Sequence, residues 1–381
     1  MAQLSLRAEA APACGIDVRP SAPVSVKNGA EDDKATNTYV RPEILPDGGF
    51  RRQGNEFPYR FGYGHDDVPV IANRYTIIGL IGCGWNRRQR IVLRLLGLDS
   101  VVRIESVIGR DDSGWILDPE GLGKQFGYDH IRDFYEHTKP GFSGRPTSPA
   151  VIDNQTGKVV TNEYHTLSLD WETVWKPFHK PGAPDLYPRE LRPEIDLLNQ
   201  QLFEDVNNGT YKIIFATERE AAEAALGVFE ARLAELDYRL KTRRYLFGTQ
   251  LTDSDVRLFQ TLEAYEVTYR PKVVETVGHE VKHLWDFEHL WAYARDLFAT
   301  PGFIDDEELR ALGFVPFDDG DYAYAFGYVK TNDPSAEPGP ANRKEYLARW
   351  QEPANRESLG GIPEFSGPGT GGTAALWSFA R

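Results

Sequence analysis

RYTIIGLIGCGWNRRQRIVLRLLGL, residues 74–98, decides how the rest of the chain is read. Tyr75 to Ile81 is a continuous apolar, β-branched run and reads as a buried strand. A turn at Gly82 follows, then a cysteine, then a helix that opens at Gly84. The first N–H groups of a helix have no partner within it, and its dipole is positive at that end, so a cysteine placed there is biased towards thiolate. Cys83 is therefore the candidate nucleophile. Arg87 and Arg88 follow on the same helix and have two readings: a solvated face, or cations that lower the thiol's pKa or hold a carboxylate.

Working outward, VVRIESVI (101–108) is a second strand that returns beside the first, completing a β-α-β unit. Residues 109–147 read as a long irregular insert. The stretch from Ser148 to Trp175 then reads as strand, turn at Asn154 to Gly157, strand and helix. A β-α-β unit followed by β-β-α, with a cysteine after the first strand, is a thioredoxin-like order. A Pro-rich link ends this unit, and the chain beyond it is mostly helical. Helices are expected over 189–206, from about 218 to 240, from 253, over 287–299 and near 344–350. LTDSDVRLF (251–259) holds a capping box: Thr252 caps, Asp255 reaches back, and Leu251 with Val256 forms the staple. The domain reading is an N-terminal arm over 1–45, a thioredoxin-like thiol-binding domain over 46–175, an all-helical substrate domain over 185–330 and an extension over 331–381.

The totals narrow the class. A chain of 381 residues is long enough for two cores. A net charge of −14 argues against nucleic acid or an anionic membrane as partner, and no apolar run approaches the ~20 residues of a membrane span. Only Cys14 and Cys83 are present, and Cys14 lies in the arm, so the expectation is a cytoplasmic protein with one working thiol.

Several segments are more specific than the cysteine: GGFRRQGNEF, the Cys-x-Trp of residues 83–85, EIDLLNQQLFEDVNNGTYKIIFAT, RYLFGTQLTDSDVRLFQTL, HLWAYARDLFATPG and NDPSAEPGP. Together they resemble the glutathionyl-hydroquinone reductases, the xi-class glutathione transferases, over roughly residues 45 to 340. The resemblance implies a thioredoxin-like α/β domain followed by an all-α domain, and glutathione as co-substrate, with another low-molecular-weight thiol as the alternative. It also implies a homodimer acting on a small aromatic substrate. The family's Cys-Pro-Trp-Ala-His-Arg motif stands here as Cys83-Gly84-Trp85-Asn86-Arg87-Arg88. Carried over residue by residue, the resemblance implies Cys83 as catalytic residue and Trp85, Arg87, Ser148, Pro149, Glu163 and Tyr164 as thiol-binding residues. Pro149 is the family's cis-proline, Glu163 its acidic residue for the γ-glutamyl ammonium, and Tyr164 replaces the usual serine. Tyr265, Tyr269, Tyr324 and Tyr328 are the implied counterparts of its aromatic pocket.

The implied chemistry removes glutathione from an aromatic thioether through a mixed disulfide of Cys83. A conjugating transferase and a non-catalytic binder of aromatic ligands are the alternatives on the same fold. His279-Glu280-Val281-Lys282-His283 matches the zinc-hydrolase pattern of two histidines one helical turn apart, but it falls inside the helical domain, where it reads as a polar helix face. No metal is expected.

Overall fold

The computed structural model describes residues 43–52, 54–318, 320–324, 329–331 and 343–359. Nearly all of the expected N-terminal arm, including Cys14, lies outside them, as do Tyr328 and the residues beyond 359. The opening stretch folds as strand β1 (Tyr75–Gly79) and helix α1 (Gly84–Leu96). Every residue of β1 is buried, because helices cover both faces of its sheet, and its sequence is accordingly a continuous apolar run instead of an alternating one. Gly97 closes α1 at φ 74°, a left-handed conformation that glycine adopts without the Cβ clash.

Strand β2 (Arg103–Ser106) pairs parallel to β1. The segment expected to be irregular is in fact ordered: Gly109–Asp111 pairs with Gly114–Ile116, and a short helix over Leu122–Phe126 precedes α2 (Ile131–Thr138). Asp133 supplies the helix signal by accepting from the backbone N–H groups of Asp129 and His130, while Ile131, Phe134 and Tyr135 face the sheet core. Strands β3 (Ala150–Asp153) and β4 (Val159–Thr161) form the expected hairpin, giving the sheet order β4-β3-β1-β2. Helix α3 (Leu167–Glu172) completes this unit.

The helical unit contains α4 (Arg192–Gln201), α5 (Arg219–Leu240), α6 (Asp253–Ala264), α7 (Arg270–Val277) and α8 (Glu288–Phe298). The helix expected to run unbroken to 206 instead widens into a π turn over Leu202–Asn207, and a second π turn, Tyr265–Tyr269, links α6 to α7. Helix α6 is the axis of the unit and is buried along its whole length. Its capping box forms as expected. The Asp255 carboxylate accepts from Thr252 N–H at 2.8 Å, the Thr252 hydroxyl at 2.9 Å, Leu246 N–H at 2.9 Å and the Tyr293 hydroxyl at 2.9 Å. Among the described residues no helix is long and apolar enough to cross a membrane.

Part of the C-terminal extension docks on this unit. Helix α9 (Arg343–Trp350) brings Trp350 to 2% exposure among Trp291, Phe298, Phe314 and Phe259, and Arg356 donates to the carbonyls of Leu240, Arg243 and Arg244. The segment therefore closes the helical core on its own chain. Trp350→Ala is expected to lower unfolding stability by about 3–5 kcal/mol, the usual cost of deleting a buried indole. Urea denaturation checks this, and an unchanged midpoint would mean that the core closes without the extension.

Candidate active site

Cys83 is the N-cap residue of α1, half-buried, with its carbonyl accepting from the N–H groups of Asn86 and Arg87 at 3.0 Å. Its side chain is a free thiol that makes no capping hydrogen bond. The thiol lies where two apolar groups meet: the sheet core on one side and a smaller cluster of Trp85, Tyr164, Phe203 and Tyr211 on the other.

The smaller cluster forms an aromatic wall. The Trp85 ring lies 4.9 Å from Tyr164, 5.8 Å from Phe203 and 6.2 Å from Tyr211. Tyr211 meets Tyr269 edge to face at 5.8 Å, and their hydroxyls hydrogen-bond. Burial, and next in weight the charge at Cys83, push the Tyr269 hydroxyl up to about 12; burial likewise holds Tyr211 well above its ordinary value. Both are therefore protonated donors at neutral pH, close enough to the sulfur to feel its charge. The two π turns supply Phe203 and Tyr269 to this wall, a use often seen for such turns. Arg52 covers it, with its guanidinium 4.4 Å from the Tyr211 ring centre and 4.9 Å from that of Trp85.

Of the residues expected to bind the thiol, Trp85 and Tyr164 belong to this wall, and Ser148, Pro149 and Glu163 come from the segments around β3 and β4. Ser148–Pro149 is a cis peptide, and the Ser148 hydroxyl accepts from Asn86 Nδ2 at 3.0 Å. Gly79 makes room for this contact, since a Cβ there would fall 1.9 Å from Asn86 Oδ1. Glu163 follows β4 and accepts at 2.7 Å from His165 N–H and at 2.7 Å from Asn55 Nδ2. The Tyr164 carbonyl accepts from Arg88, and its ring packs on Trp85 and on His165, which burial keeps neutral.

Beneath Cys83 the two arginines are not a solvated face. Arg87 is fully buried, pairs with Glu263 of α6 and donates to the Gln260 carbonyl at 3.1 Å. Arg88 is equally buried, and desolvation pushes the two guanidiniums down to about 10 and about 9. Arg87 ties the first turn of α1 to the helical unit, and Arg88 ties it to the Tyr164 carbonyl after β4. Gly84 belongs to the same contact, because a Cβ there would lie 3.2 Å from the Gln260 carbonyl oxygen.

Other expectations need correction. Tyr265 lies in the helical core instead of the aromatic wall: its ring stacks on Phe229 at 5.5 Å and its hydroxyl donates to the Lys282 carbonyl at 3.0 Å. Tyr324 sits on the short strand Tyr322–Tyr324, and Tyr328 lies outside the described residues. The 279–283 segment is an extended connection and not a helix face. Its two histidines turn to different carboxylates, His279 to Glu223 and His283 to Glu266. Among the described residues no group of three or more His, Cys, Asp or Glu side chains could hold a metal. Arg52, Phe203, Tyr211 and His165 escaped the sequence reading, although Arg52, Phe203 and Tyr211 fall within the quoted family-like segments.

A thioredoxin-like unit carrying a cysteine at its first helix and packed on an all-helical unit defines a glutathione transferase fold. Residues 219–296 match the glutathione S-transferase C-terminal domain family. The chain is 32% identical over 240 residues to the glutathionyl-hydroquinone reductase YqjG of Escherichia coli, covering 61% of this chain and 71% of that protein. A glutathione transferase structure from Gordonia bronchialis is similar at 35% identity and TM-score 0.65, over 79% of this chain and 89% of that one. The glutathione-bound structure of YqjG gives 25% identity and TM-score 0.62, over 82% and 99%. The chain belongs to the glutathionyl-hydroquinone reductases, the Xi-class glutathione transferases, a family of enzymes.

The buried Arg87–Glu263 pair yields a stability test. Arg87→Met leaves Glu263 buried without its cation and is expected to cost about 3–5 kcal/mol, whereas Arg87→Met combined with Glu263→Leu should cost clearly less. Denaturant unfolding of these two variants and of Glu263→Leu alone reads this. Additive losses would show that the two side chains act independently.

Proposed function

We propose that the protein is a glutathione-dependent reductase that removes glutathione from glutathionyl-hydroquinone-type thioethers through a mixed disulfide on Cys83. The observation that carries this reading is the free Cys83 side chain at the start of α1, beside the protonated Tyr211–Tyr269 hydroxyl pair. The Cys83 thiolate attacks the glutathione sulfur, the sulfur–aryl bond breaks with its electrons going to the ring carbon, and that carbon takes a proton to give the free hydroquinone. A second glutathione thiolate then attacks the Cys83–glutathione disulfide, releasing glutathione disulfide and restoring the Cys83 thiolate. The two steps balance with no metal or nucleotide. Tyr269 and Tyr211 are the acids at hand for the ring proton.

The glutathione side of the site is proposed to comprise the backbone at Ser148 and Pro149 and the Glu163 carboxylate. Glutathione is the thiol that the relatives' names support. We also place the protein in a reducing cytoplasm and as a homodimer, on the strength of its cysteine usage and its fold.

Replacing the nucleophile separates the readings. With glutathione and a glutathionyl-hydroquinone as substrates, Cys83→Ala is expected to lower hydroquinone release by about 10³-fold or more. Retained release would make the protein a conjugating transferase that only activates glutathione, and no release from the unmodified protein would favour the binding-protein reading.

A further inference from the structure

Arg52 stands apart from the other arginines. The segment that carries it is fixed at both ends. Gly48 O accepts from Thr217 N–H at 2.9 Å, the Phe50 ring packs on Phe215 at 5.4 Å, and Phe57 N–H donates to Asn162 Oδ1 at 2.9 Å. Arg52 is thus held across the site from a connection anchored to both units. Its Nε donates to Asn208 Oδ1 at 2.9 Å, and the faces of Tyr211 and Trp85 hold its guanidinium plane.

Among the described residues its charge has no paired carboxylate. The chain has 57 acidic against 43 basic residues, and most arginines near the sheet and bundle interface have a carboxylate: Arg60 has Asp170, Arg87 has Glu263, Arg94 has Asp305 and Glu308, and Arg257 has Asp253. Among the described residues no carboxylate pairs with Arg52, and its Nη2 is buried with no hydrogen-bond partner. A buried guanidinium nitrogen left unpaired costs more than a neutral donor would. Among the described residues Arg88 also has no carboxylate pair, but the whole side chain is buried and donates to the Tyr164 carbonyl. Arg52 is half-buried, directly over the aromatic wall beside Cys83.

We propose that Arg52 is a specificity-determining residue that selects aromatic substrates bearing an acidic substituent, a ring carboxylate or an ionised phenol, by offering its unpaired Nη2 at the Trp85–Tyr211 wall. Such a substrate enters beside the guanidinium, which already lies on the faces of Tyr211 and Trp85, and its anion takes the vacant donor once Nη2 is uncovered. The glycyl carboxylate of glutathione is the other source of such an anion, and the S-methylglutathione arm of the test separates the two. The inference rests on the proposed occupation of this wall by an aromatic substrate, so its test reads binding and not turnover.

The probes are a dihydroxybenzoate with its hydroxyls para to one another, the methyl ester of that acid, and S-methylglutathione, each titrated calorimetrically into the full-length protein. The acid is expected to bind about 10- to 100-fold more tightly than the ester, the worth of one charge-assisted hydrogen bond. Arg52→Met should abolish the difference and leave S-methylglutathione affinity unchanged. Arg52→Lys keeps the charge and should retain part of the preference, which guards against a loss caused by misfolding of the Met variant. Equal binding of acid and ester by the unmodified protein overturns the inference. So does an Arg52→Met variant that loses S-methylglutathione affinity and keeps the preference for the acid, since the cation then serves glutathione. A protein with the acid preference but no thioether turnover would lose the proposed function and keep this inference.

Discussion

The Arg87–Glu263 pair, buried between the first helix of the sheet unit and the axial helix of the bundle, is the constraint on which the site depends. Two charges removed from water gain only if they are held close, so the pair fixes α1 against α6. Cys83 sits one turn before Arg87, and Glu263 and Gln260 lie on α6 near the π turn that presents Tyr269. One contact therefore sets the position of the thiol relative to the tyrosine pair. The capping box at Thr252 and Asp255 sets where α6 begins, and so sets the register of that contact.

This geometry gives a physical account of the departures from the family's Cys-Pro-Trp-Ala-His-Arg pattern. Gly84 stands where proline is usual because α1 approaches the Gln260 carbonyl more closely than a side chain there would comfortably permit. Arg87 stands in place of histidine and has Glu263 as its counter-charge. Asn86 stands in place of alanine, fills the space left by Gly79 and reaches the hydroxyl of Ser148. The substitutions come as sets of fitting partners, and the thiol at their head keeps its place at the start of the helix.

Much of this was legible in the sequence where a local signal and a tertiary requirement agreed. The buried strand at Tyr75, the glycine turn, the hairpin after Ser148 and the Thr252–Asp255 box each carry their own pattern, and each forms. The helix at Ile131 was missed because its cap is an Asp133 reaching back over a histidine, a weaker mark than a serine or threonine cap. The site was harder to read. Arg87 resembles any surface arginine in a basic run, and nothing local reveals that Glu263, far along the chain, will bury it. Tyr265 and Tyr269 look equivalent at four residues' spacing, yet one packs on Phe229 in the core and the other meets Tyr211 in the site. Arg52 has no sequence signal for its proposed role, since that role rests on an Nη2 left without a partner among the described residues.

The central claim is that Cys83 carries glutathione as a mixed disulfide during turnover. Mass spectrometry of the intact protein and its peptides, after incubation with glutathione disulfide and removal of the excess, reads that intermediate directly. The account predicts one glutathione adduct per chain on the peptide containing Cys83, lost on adding reduced glutathione. A Cys83 that stays unmodified while glutathione disulfide reacts with free cysteine in the same tube would contradict it.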